Sequence, residues 1–286
     1  MSDLTTGPVP SSLPDIPGAG APGADLTVPP RWLGLEGGAD GHYGFELTPL
    51  LSRFDGRLFG GTGIALTIAA FEAETGRDAL WTTVQFAGSA EVGERIACHV
   101  EVLAVGRHTS QVRLTAVVGD RLVLAALGAT AATSADGFAA RLGDMPVVTD
   151  PDDSEPFELG FPIEIPEITE QGPFAMAEYR QARGSAGSQV WARMRDTPHS
   201  RATLGYLADF VPSAVVRAAG RVGGGTSLDN SIRFGPDAPA GTDWLLLDFD
   251  PFFAASGYVH GAVRMWSADG LLLAVASQTA VARLFD

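Results

Sequence analysis

The sequence contains no lysine, since all 19 of its basic residues are arginine. The absence of lysine excludes Schiff-base chemistry, a pyridoxal-phosphate anchor and the lysine of a P-loop. Cysteine is nearly absent as well, because Cys98 is the only one. A single cysteine excludes an intrachain disulfide and the cysteine sets of zinc fingers. Cys98 lies in an alternating, strand-like pattern, which predicts a buried and unreactive thiol.

Long apolar runs are also missing. No stretch of about 18 uninterrupted apolar residues is present to predict a membrane span. The first 30 residues contain no basic residue and no continuous apolar core, so they lack the pattern of a signal peptide. Acidic residues outnumber basic ones by 34 to 19, and the formal charge of -15 disfavours binding to nucleic acid or anionic membranes. We therefore expect a soluble, cytoplasmic protein.

Several catalytic motifs are absent too. No Gly-x-Ser-x-Gly segment is present, which argues against a hydrolase with a serine nucleophile. The five histidines are not spaced from one another or from acidic residues as metal ligands are, so no metal site is predicted. The glycine run 223–225 precedes a strand-like segment rather than a helix, which predicts a turn and not a phosphate-binding loop.

The 286 residues divide into four regions by composition. Residues 1–30 are rich in proline and glycine and predict a flexible tail. Residues 136–173 are acidic and interrupted by prolines without a clear period, which predicts a linker over the surface. The remaining regions, 31–135 and 174–286, are each long enough to form one domain.

The two long regions repeat one order of elements, in which a strand-like segment leads to a buried helix and then to four strand-like runs. The first has strand 42–48, helix 62–73 and runs 80–86, 96–105, 109–118 and 121–130. The second has strand 188–195, helix 200–219 with Ser200 as N-cap, and runs 226–234, 244–250, 257–266 and 271–284. A helix that is apolar on nearly all sides must be wrapped by its neighbours. The sequence therefore predicts an α+β fold, the double hotdog, in which two curved antiparallel sheets each wrap a central helix.

Three polar residues interrupt apolar segments of the second region. They are Asp209 in the helix, Ser227 near the start of the next strand-like run, and Gln278 in the last run. A polar group that is buried without a partner costs about 1–3 kcal/mol, so these residues need partners. An acid, a hydroxyl and an amide together can hold one water molecule, which indicates hydrolysis. Asp229 is an alternative acid, because it lies two positions after Ser227 and a continuous strand would place both on one face.

Four segments together carry a resemblance to a known family. They are Phe59-Gly60-Gly61 before the first helix, Gly-Tyr-Leu-Ala-Asp-Phe at 205–210, Ser-Leu-Asp-Asn-Ser at 227–231, and the closing hairpin 269–283 with Gln278 and Arg283. In this order and spacing, residues 31–283 resemble the type II acyl-CoA thioesterases of the double-hotdog class. The resemblance implies that Asp209, Ser227 and Gln278 jointly bind and activate the hydrolytic water. It also implies an acyl-CoA or acyl-pantetheine substrate, no cofactor and no metal.

The sequence departs from the family pattern at three places. Asn230 stands where the family usually has histidine, and Arg-Phe-Gly-Pro at 233–236 replaces a Trp-Phe-His-x-Pro type of segment. No glutamine lies between Gly61 and Thr75, where many members carry one. The three residues expected to hold the water are unaffected by these changes.

Residues around the expected water site have less specific patterns. The backbone amides of Gly60 and Gly61, at a helix N-terminus, are candidates for stabilising an oxyanion, although a glycine pair equally indicates close packing. Arg57, Arg107 and Arg233 are candidates for binding the phosphates of coenzyme A. A competing interpretation is a non-catalytic hotdog module that binds an acyl thioester or lipid. Because hotdog sheets have open edges, we also expect a homo-oligomer.

Overall fold

The computed structural model describes residues 29–132, 140, 142–158, 171–184, 188–235 and 243–285. Almost all of the expected tail, 1–30, lies outside this part of the chain. Of the expected linker, 136–173, only residues 140, 142–158 and 171–173 are described.

The first half of the chain folds as one long helix against an antiparallel sheet. Its elements are β1 (Glu36–Ala39), β2 (His42–Glu46), α1 (Gly60–Thr75), β3 (Asp78–Phe86), β4 (Arg95–Val105), β5 (Thr109–Val118) and β6 (Arg121–Ala131). Every residue of α1 from Gly60 to Glu72 is buried, so this helix has no solvent-facing stripe over most of its length. It ends at Gly76, which takes a left-handed conformation with a φ of 62°.

The second half uses shorter helices and a longer sheet. Its elements are α2 (Gly172–Met176), β7 (Ala177–Ala182), β8 (Gln189–Met194), α3 (Arg201–Leu207), α4 (Val211–Ala218), β9 (Gly223–Ser227), β10 (Asp229–Phe234), β11 (Leu245–Ala255), β12 (Tyr258–Ser267) and β13 (Leu272–Leu284). A single 3-10 turn, Ala208–Phe210, connects α3 to α4. Ser200 caps α3 as expected, because its hydroxyl accepts the backbone N–H of Thr203 at 3.2 Å.

The sheets of the two halves are joined edge to edge. The strand order is β1-β2-β4-β5-β6-β3-β10-β13-β12-β11-β8-β7, and β9 pairs with β13 beside this path. All pairings are antiparallel, and the junction between the halves is the pair of β3 and β10. The expected α+β double hotdog is therefore confirmed, with its two sheets continuous with each other.

Two predicted segments of the second half are each divided in the structure. The expected run 226–234 is two strands, because the chain breaks at Leu228 between β9 and β10. The expected helix 200–219 is divided by the 3-10 turn at Ala208–Phe210, just before Pro212 in the first turn of α4. Proline has no N–H to donate to the carbonyl of the residue four positions earlier, so one regular helix cannot run through it.

Glycines allow α1 and α3 to approach closely. A Cβ at Gly205 of α3 would lie 2.4 Å from Cδ1 of Ile68, and one at Gly61 of α1 would lie 2.2 Å from the carbonyl oxygen of Tyr206. Real Cβ atoms are not found at such distances, so larger residues would force the helices apart. This packing brings the N-terminus of α1 against the 3-10 turn after α3.

Cys98 is buried, and burial raises the pKa of its thiol to about 12. The expected burial of this thiol is confirmed, and its raised pKa disfavours the reactive thiolate. Within the described ranges, none of the helices combines the length and hydrophobicity needed to cross a bilayer.

Candidate active site

Asp209, Ser227 and Gln278 meet in the structure. The carboxylate of Asp209 accepts two hydrogen bonds at its Oδ1 atom, from the Ser227 hydroxyl at 2.9 Å and from the Nε2 atom of Gln278 at 2.5 Å. Asp209 is only 8% exposed and Gln278 only 1%. Residues far apart in the sequence thus form one hydrogen-bonded group around a buried carboxylate.

The break between strands β9 and β10 at Leu228 helps to bring these three side chains together. Ser227 is the last residue of β9 and lies opposite Ala280 of β13, so it occupies a diagonal position relative to Gln278 on the same face. The backbone N–H of Leu228 donates to the carbonyl of Thr279 at 3.0 Å, which holds the break against β13. Ser227 and Gln278 therefore reach Asp209 from neighbouring strands, while Asp209 comes from the turn between two helices.

Asp229 has a different role from the one that a continuous strand would give it. Because β9 ends at Ser227, Asp229 begins β10 and lies opposite Gln85 of β3. Its Oδ1 atom accepts the backbone N–H of Thr279 at 2.8 Å. This carboxylate satisfies a backbone donor at the strand break instead of joining the hydrogen-bonded group at Asp209.

The electrostatic state of Asp209 is set mainly by its burial. Burial raises the pKa of this carboxyl from 3.8 to about 6, because a charge is poorly solvated in the protein interior. The hydrogen bonds from Gln278 and Ser227, the backbone amide of Gly61 and the charge of Arg53 all lower the pKa without cancelling the effect of burial. The group is thus ionised near neutral pH and accepts a proton readily below it.

Gly60 and Gly61, at the start of α1, lie directly against this carboxylate. A Cβ built on Gly60 would be 2.6 Å from both carboxylate oxygens of Asp209 and 2.8 Å from the Ser227 hydroxyl. The backbone amide of Gly61 lowers the pKa of Asp209, as a donor to the carboxylate does. The glycines thus permit a close approach of the helix N-terminus to the acid, where the helix dipole favours negative charge.

A cavity of about 920 Å³ has Asp209 in its wall. Aromatic rings line it beside the carboxylate, since the ring of Phe210 packs at centroid distances of 5.8 Å from Phe59, 5.7 Å from Phe174 and 5.3 Å from Tyr179. Such walls bury apolar groups of a ligand and keep water away from the neighbouring polar atoms.

Basic side chains outnumber acidic ones in the lining of the same cavity, where the acidic residues are Asp55, Glu158 and Asp209. Its arginines are Arg53, Arg57, Arg217, Arg221 and Arg283. Two of them bind neutral groups, because Arg217 donates to the carbonyl of Glu158 at 3.2 Å and Arg283 donates to the Thr226 hydroxyl at 3.0 Å. In a chain with a formal charge of -15, this grouping is suited to an anionic ligand.

The three arginines expected from the sequence are not brought together. Arg57 lines the cavity, whereas Arg107 lies in the turn between β4 and β5, outside the cavity lining. Arg233, on β10, also lies outside it, where its guanidinium is 6.0 Å from the ring centroid of Trp81 and donates to the Ser231 hydroxyl at 2.7 Å. The sequence analysis missed Arg53, Arg217, Arg221 and Arg283, because no pattern around them indicates which surface they share.

The histidines are not gathered into a metal site. His42 and His99 are cross-strand neighbours on β2 and β4, with ring centroids 4.6 Å apart, a pairing that sequence spacing did not reveal. No group of three or more His, Cys, Asp or Glu side chains arranged to hold a metal ion occurs in the part of the chain that the structure describes.

The chain is similar to one known sequence family and to several solved structures. The model of the acyl-CoA thioesterase N-terminal domain matches residues 50–133, and that of the C-terminal domain matches residues 142–282. A proposed thioesterase from Novosphingobium aromaticivorans is 31% identical, with a TM-score of 0.76 over 87% of this chain and 98% of the other. The chain belongs to the acyl-CoA thioesterase family. A comparison with curated protein sequences gave no match.

Other solved structures share the fold of this thioesterase family member. A protein of unknown function with a hotdog fold from Alicyclobacillus acidocaldarius is 23% identical, with a TM-score of 0.73 over 91% of this chain and 97% of that one. An acyl-CoA thioesterase II from Mycobacterium marinum is 20% identical, with a TM-score of 0.69 over 88% and 96%. Together with the two matched domain models, these structures confirm the resemblance to type II acyl-CoA thioesterases that the four sequence segments carry.

Proposed function

We propose that this thioesterase hydrolyses acyl-CoA with a water molecule that Asp209, Ser227 and Gln278 hold and activate. The observation that carries the proposal is the buried Asp209 carboxylate, which accepts hydrogen bonds from both partners and lies in the wall of the aromatic cavity. Both hydrogen bonds end on Oδ1, so Oδ2 accepts neither of them and is the atom to which we assign the water proton.

The proposed reaction has two steps. Water attacks the thioester carbonyl carbon as its proton passes to the Asp209 carboxylate, which gives a tetrahedral oxyanion. The oxyanion then collapses, the carbon–sulfur bond breaks, and the Asp209 carboxyl returns its proton to the departing thiolate. The products are a free carboxylic acid and coenzyme A, and Asp209 is again ionised. A positioned base of this kind contributes about 10²–10⁴-fold to the rate.

For the oxyanion we propose the backbone amide of Gly60. This residue is the first of α1, where N–H groups have no partner within the helix and the helix dipole favours negative charge. Gly60 lies against the carboxylate and the Ser227 hydroxyl, so a carbonyl attacked by the held water would be close to it. The amide of Gly61 is less suited, because it already acts on Asp209.

The activity is tested by incubating the enzyme with acyl-CoAs of increasing chain length and with an aromatic acyl-CoA. Thiol release is followed with a disulfide reagent, and the free acid is identified by mass spectrometry. We expect catalytic release of coenzyme A from at least one class of acyl group. Saturable binding of these acyl-CoAs without any thiol release would instead favour a module that binds thioesters and does not cleave them.

Activity should depend on pH through Asp209. The proposed active form is the carboxylate, and its pKa is raised to about 6, so kcat/KM should fall about tenfold for each pH unit below that value. The measurement is kcat/KM between pH 4.5 and 8, because this ratio reports the pKa of the free enzyme. An acid limb near pH 4 would contradict a buried carboxylate as the base.

The arginines that line the cavity should act on affinity. We expect Arg57→Ala and Arg283→Ala each to raise KM for acyl-CoA about tenfold with little change in kcat, because hydrogen bonds to phosphate are charge-assisted. The matched controls are Arg107→Ala and Arg233→Ala, which change arginines outside the cavity and should leave KM unchanged. An acyl-pantetheine without phosphates should not distinguish the cavity variants from wild type, and equal effects on both substrates would contradict phosphate binding.

A further inference from the structure

Asn230 is a fully buried side chain with unsatisfied hydrogen-bonding atoms. It is 0% exposed in β10, and neither its Nδ2 nor its Oδ1 atom has a hydrogen-bond partner among the described residues. Burying a donor or an acceptor without a partner is unfavourable, so native proteins rarely leave both ends of an amide unpaired. The unpaired amide of Asn230 therefore indicates a hydrogen-bond partner that the bonds among the described residues do not include.

The register of the sheet places Asn230 beside Gln278. Ser231 of β10 lies opposite Ser277 of β13 in the last pair of this antiparallel ladder, and the same register continued by one residue would set Asn230 opposite Gln278. Residues directly opposite each other point to the same face, with Cβ atoms about 4.5–5.5 Å apart. Both side chains are buried, and the Oε1 atom of Gln278 is unpaired among the described residues as well.

The orientation of the Gln278 amide matters for the chemistry. Ionised carboxylates only accept hydrogen bonds, so Gln278 must turn its NH2 group toward Asp209 and its carbonyl oxygen away. If the amide were rotated by half a turn, two acceptors would face each other and Asp209 would lose a donor. A donor on the far side of Gln278 would prevent this rotation, and the NH2 group of Asn230 is a buried donor that has no partner among the described residues.

We propose that Asn230 is a positioning residue: its Nδ2 group donates to a buried water, which in turn donates to Oε1 of Gln278 and thereby keeps the Gln278 NH2 group on Asp209. This inference rests on the proposed function of Asp209, Ser227 and Gln278. Buried waters that bridge otherwise unpaired polar groups are common in globular proteins, and one here would also satisfy the Oδ1 atom of Asn230. Asn230 does not touch the reacting atoms and acts through Gln278.

The test compares two variants of nearly the same shape, Asn230→Val and Asn230→Thr. Valine removes every donor, whereas threonine keeps a hydroxyl. Both are β-branched and suit a strand, so folding should be similar. The matched control is Thr82→Val in β3, which removes a buried hydroxyl that also has no partner among the described residues but lies opposite Ile232 and not beside Gln278.

The decisive measurement is the pKa of Asp209, read from the acid limb of kcat/KM and independently from carboxyl ¹³C NMR, with Asp209→Asn used to assign the signal. In Asn230→Val we expect the pKa to rise by roughly one pH unit while KM stays near the wild-type value, because a donor to the carboxylate is lost. In Asn230→Thr and Thr82→Val the pKa should stay near that of wild type. Among described residues, the other ionisable groups acting on Asp209 are Arg53 and Tyr206, and none of these variants changes them.

Two outcomes would overturn the inference. One is a wild-type pKa of Asp209 in Asn230→Val, and the other is an equal shift in the valine and threonine variants, which would indicate a packing effect. Failure of the proposed function is a separate result, because an enzyme without thiol release would still give the NMR titration. A shift in that titration would then support the role of Asn230 in orienting Gln278 even with no turnover.

Discussion

Replacing Asp209 with asparagine is expected to lower kcat/KM for acyl-CoA by about three orders of magnitude, as loss of a positioned base does. Asparagine has nearly the same shape, and its carbonyl oxygen can still accept from Ser227 and Gln278. The cavity and its arginines are unchanged, so affinity for the substrate should remain. The measurement is thiol release at saturating and at limiting acyl-CoA, together with calorimetric binding of the acyl-CoA to the variant.

The same variant should be more stable than wild type. The folded pKa of Asp209 is about 6, above the ordinary value of 3.8, so the folded state binds its proton more tightly than the unfolded state does. Stability is therefore lost as the pH rises through this window, and the buried charge costs on the order of 3 kcal/mol at neutral pH. Asparagine carries no charge, and we expect the unfolding temperature to rise by several degrees. If the loss of activity came from misfolding, the unfolding temperature would fall instead.

Asp229→Asn is the matched control for this prediction. Asp229 is the other acid near Ser227, and its carboxylate accepts the backbone N–H of Thr279 at the strand break. An amide oxygen can accept the same hydrogen bond, so turnover and the acid limb of the pH profile should stay close to those of wild type. An inactive Asp229→Asn beside an active Asp209→Asn would reverse the assignment of the base.

Much of the fold follows from sequence patterns because those patterns are local. Helix α1 is buried on every side over residues 60–72, as its mostly apolar sequence predicts, and the alternating run 109–118 coincides with β5. Strand β7 was missed, since its sequence Ala-Glu-Tyr-Arg-Gln-Ala is largely polar and four of its six residues are only partly buried. The break at Leu228 was missed for another reason. It arises because β10 pairs with both β3 and β13, whereas β9 pairs with a different part of β13.

The residues of the candidate site also fall into two groups, those that local sequence patterns identify and those that only the tertiary structure identifies. Asp209 and Gln278 could be found because each is a polar residue in an apolar segment, and burial makes such residues depend on partners. The arginines of the cavity could not be found, because exposed arginines occur throughout the chain and only tertiary structure shows which of them share a surface. Asn230 was noticeable in the sequence as a departure from the family pattern, but its relation to Gln278 depends on the pairing of β10 with β13.

Replacing Gly60 with alanine is expected to abolish most activity while leaving the fold intact. The added methyl group would lie 2.6 Å from both carboxylate oxygens of Asp209 and 2.8 Å from the Ser227 hydroxyl, so the acid must move. Gly60 begins α1 and its φ is not positive, so alanine suits the backbone and improves helix propensity by about 1 kcal/mol. We expect kcat to fall at least about 100-fold, because small misplacements of catalytic groups have effects of this size.

Gly63→Ala, one turn further along α1, separates this effect from ordinary crowding. A methyl group there would meet Cδ2 of Leu124 and Cε1 of Phe86, each at 2.9 Å, and these side-chain ends can shift without moving Asp209. Gly63→Ala is expected to lower the unfolding temperature and to leave kcat near the wild-type value. Gly60→Ala is expected to lower kcat and to leave the fold intact. Both are measured by thiol release and thermal unfolding. Wild-type turnover in a folded Gly60→Ala would mean that the carboxylate can leave its position without harm, which is incompatible with Asp209 holding the hydrolytic water.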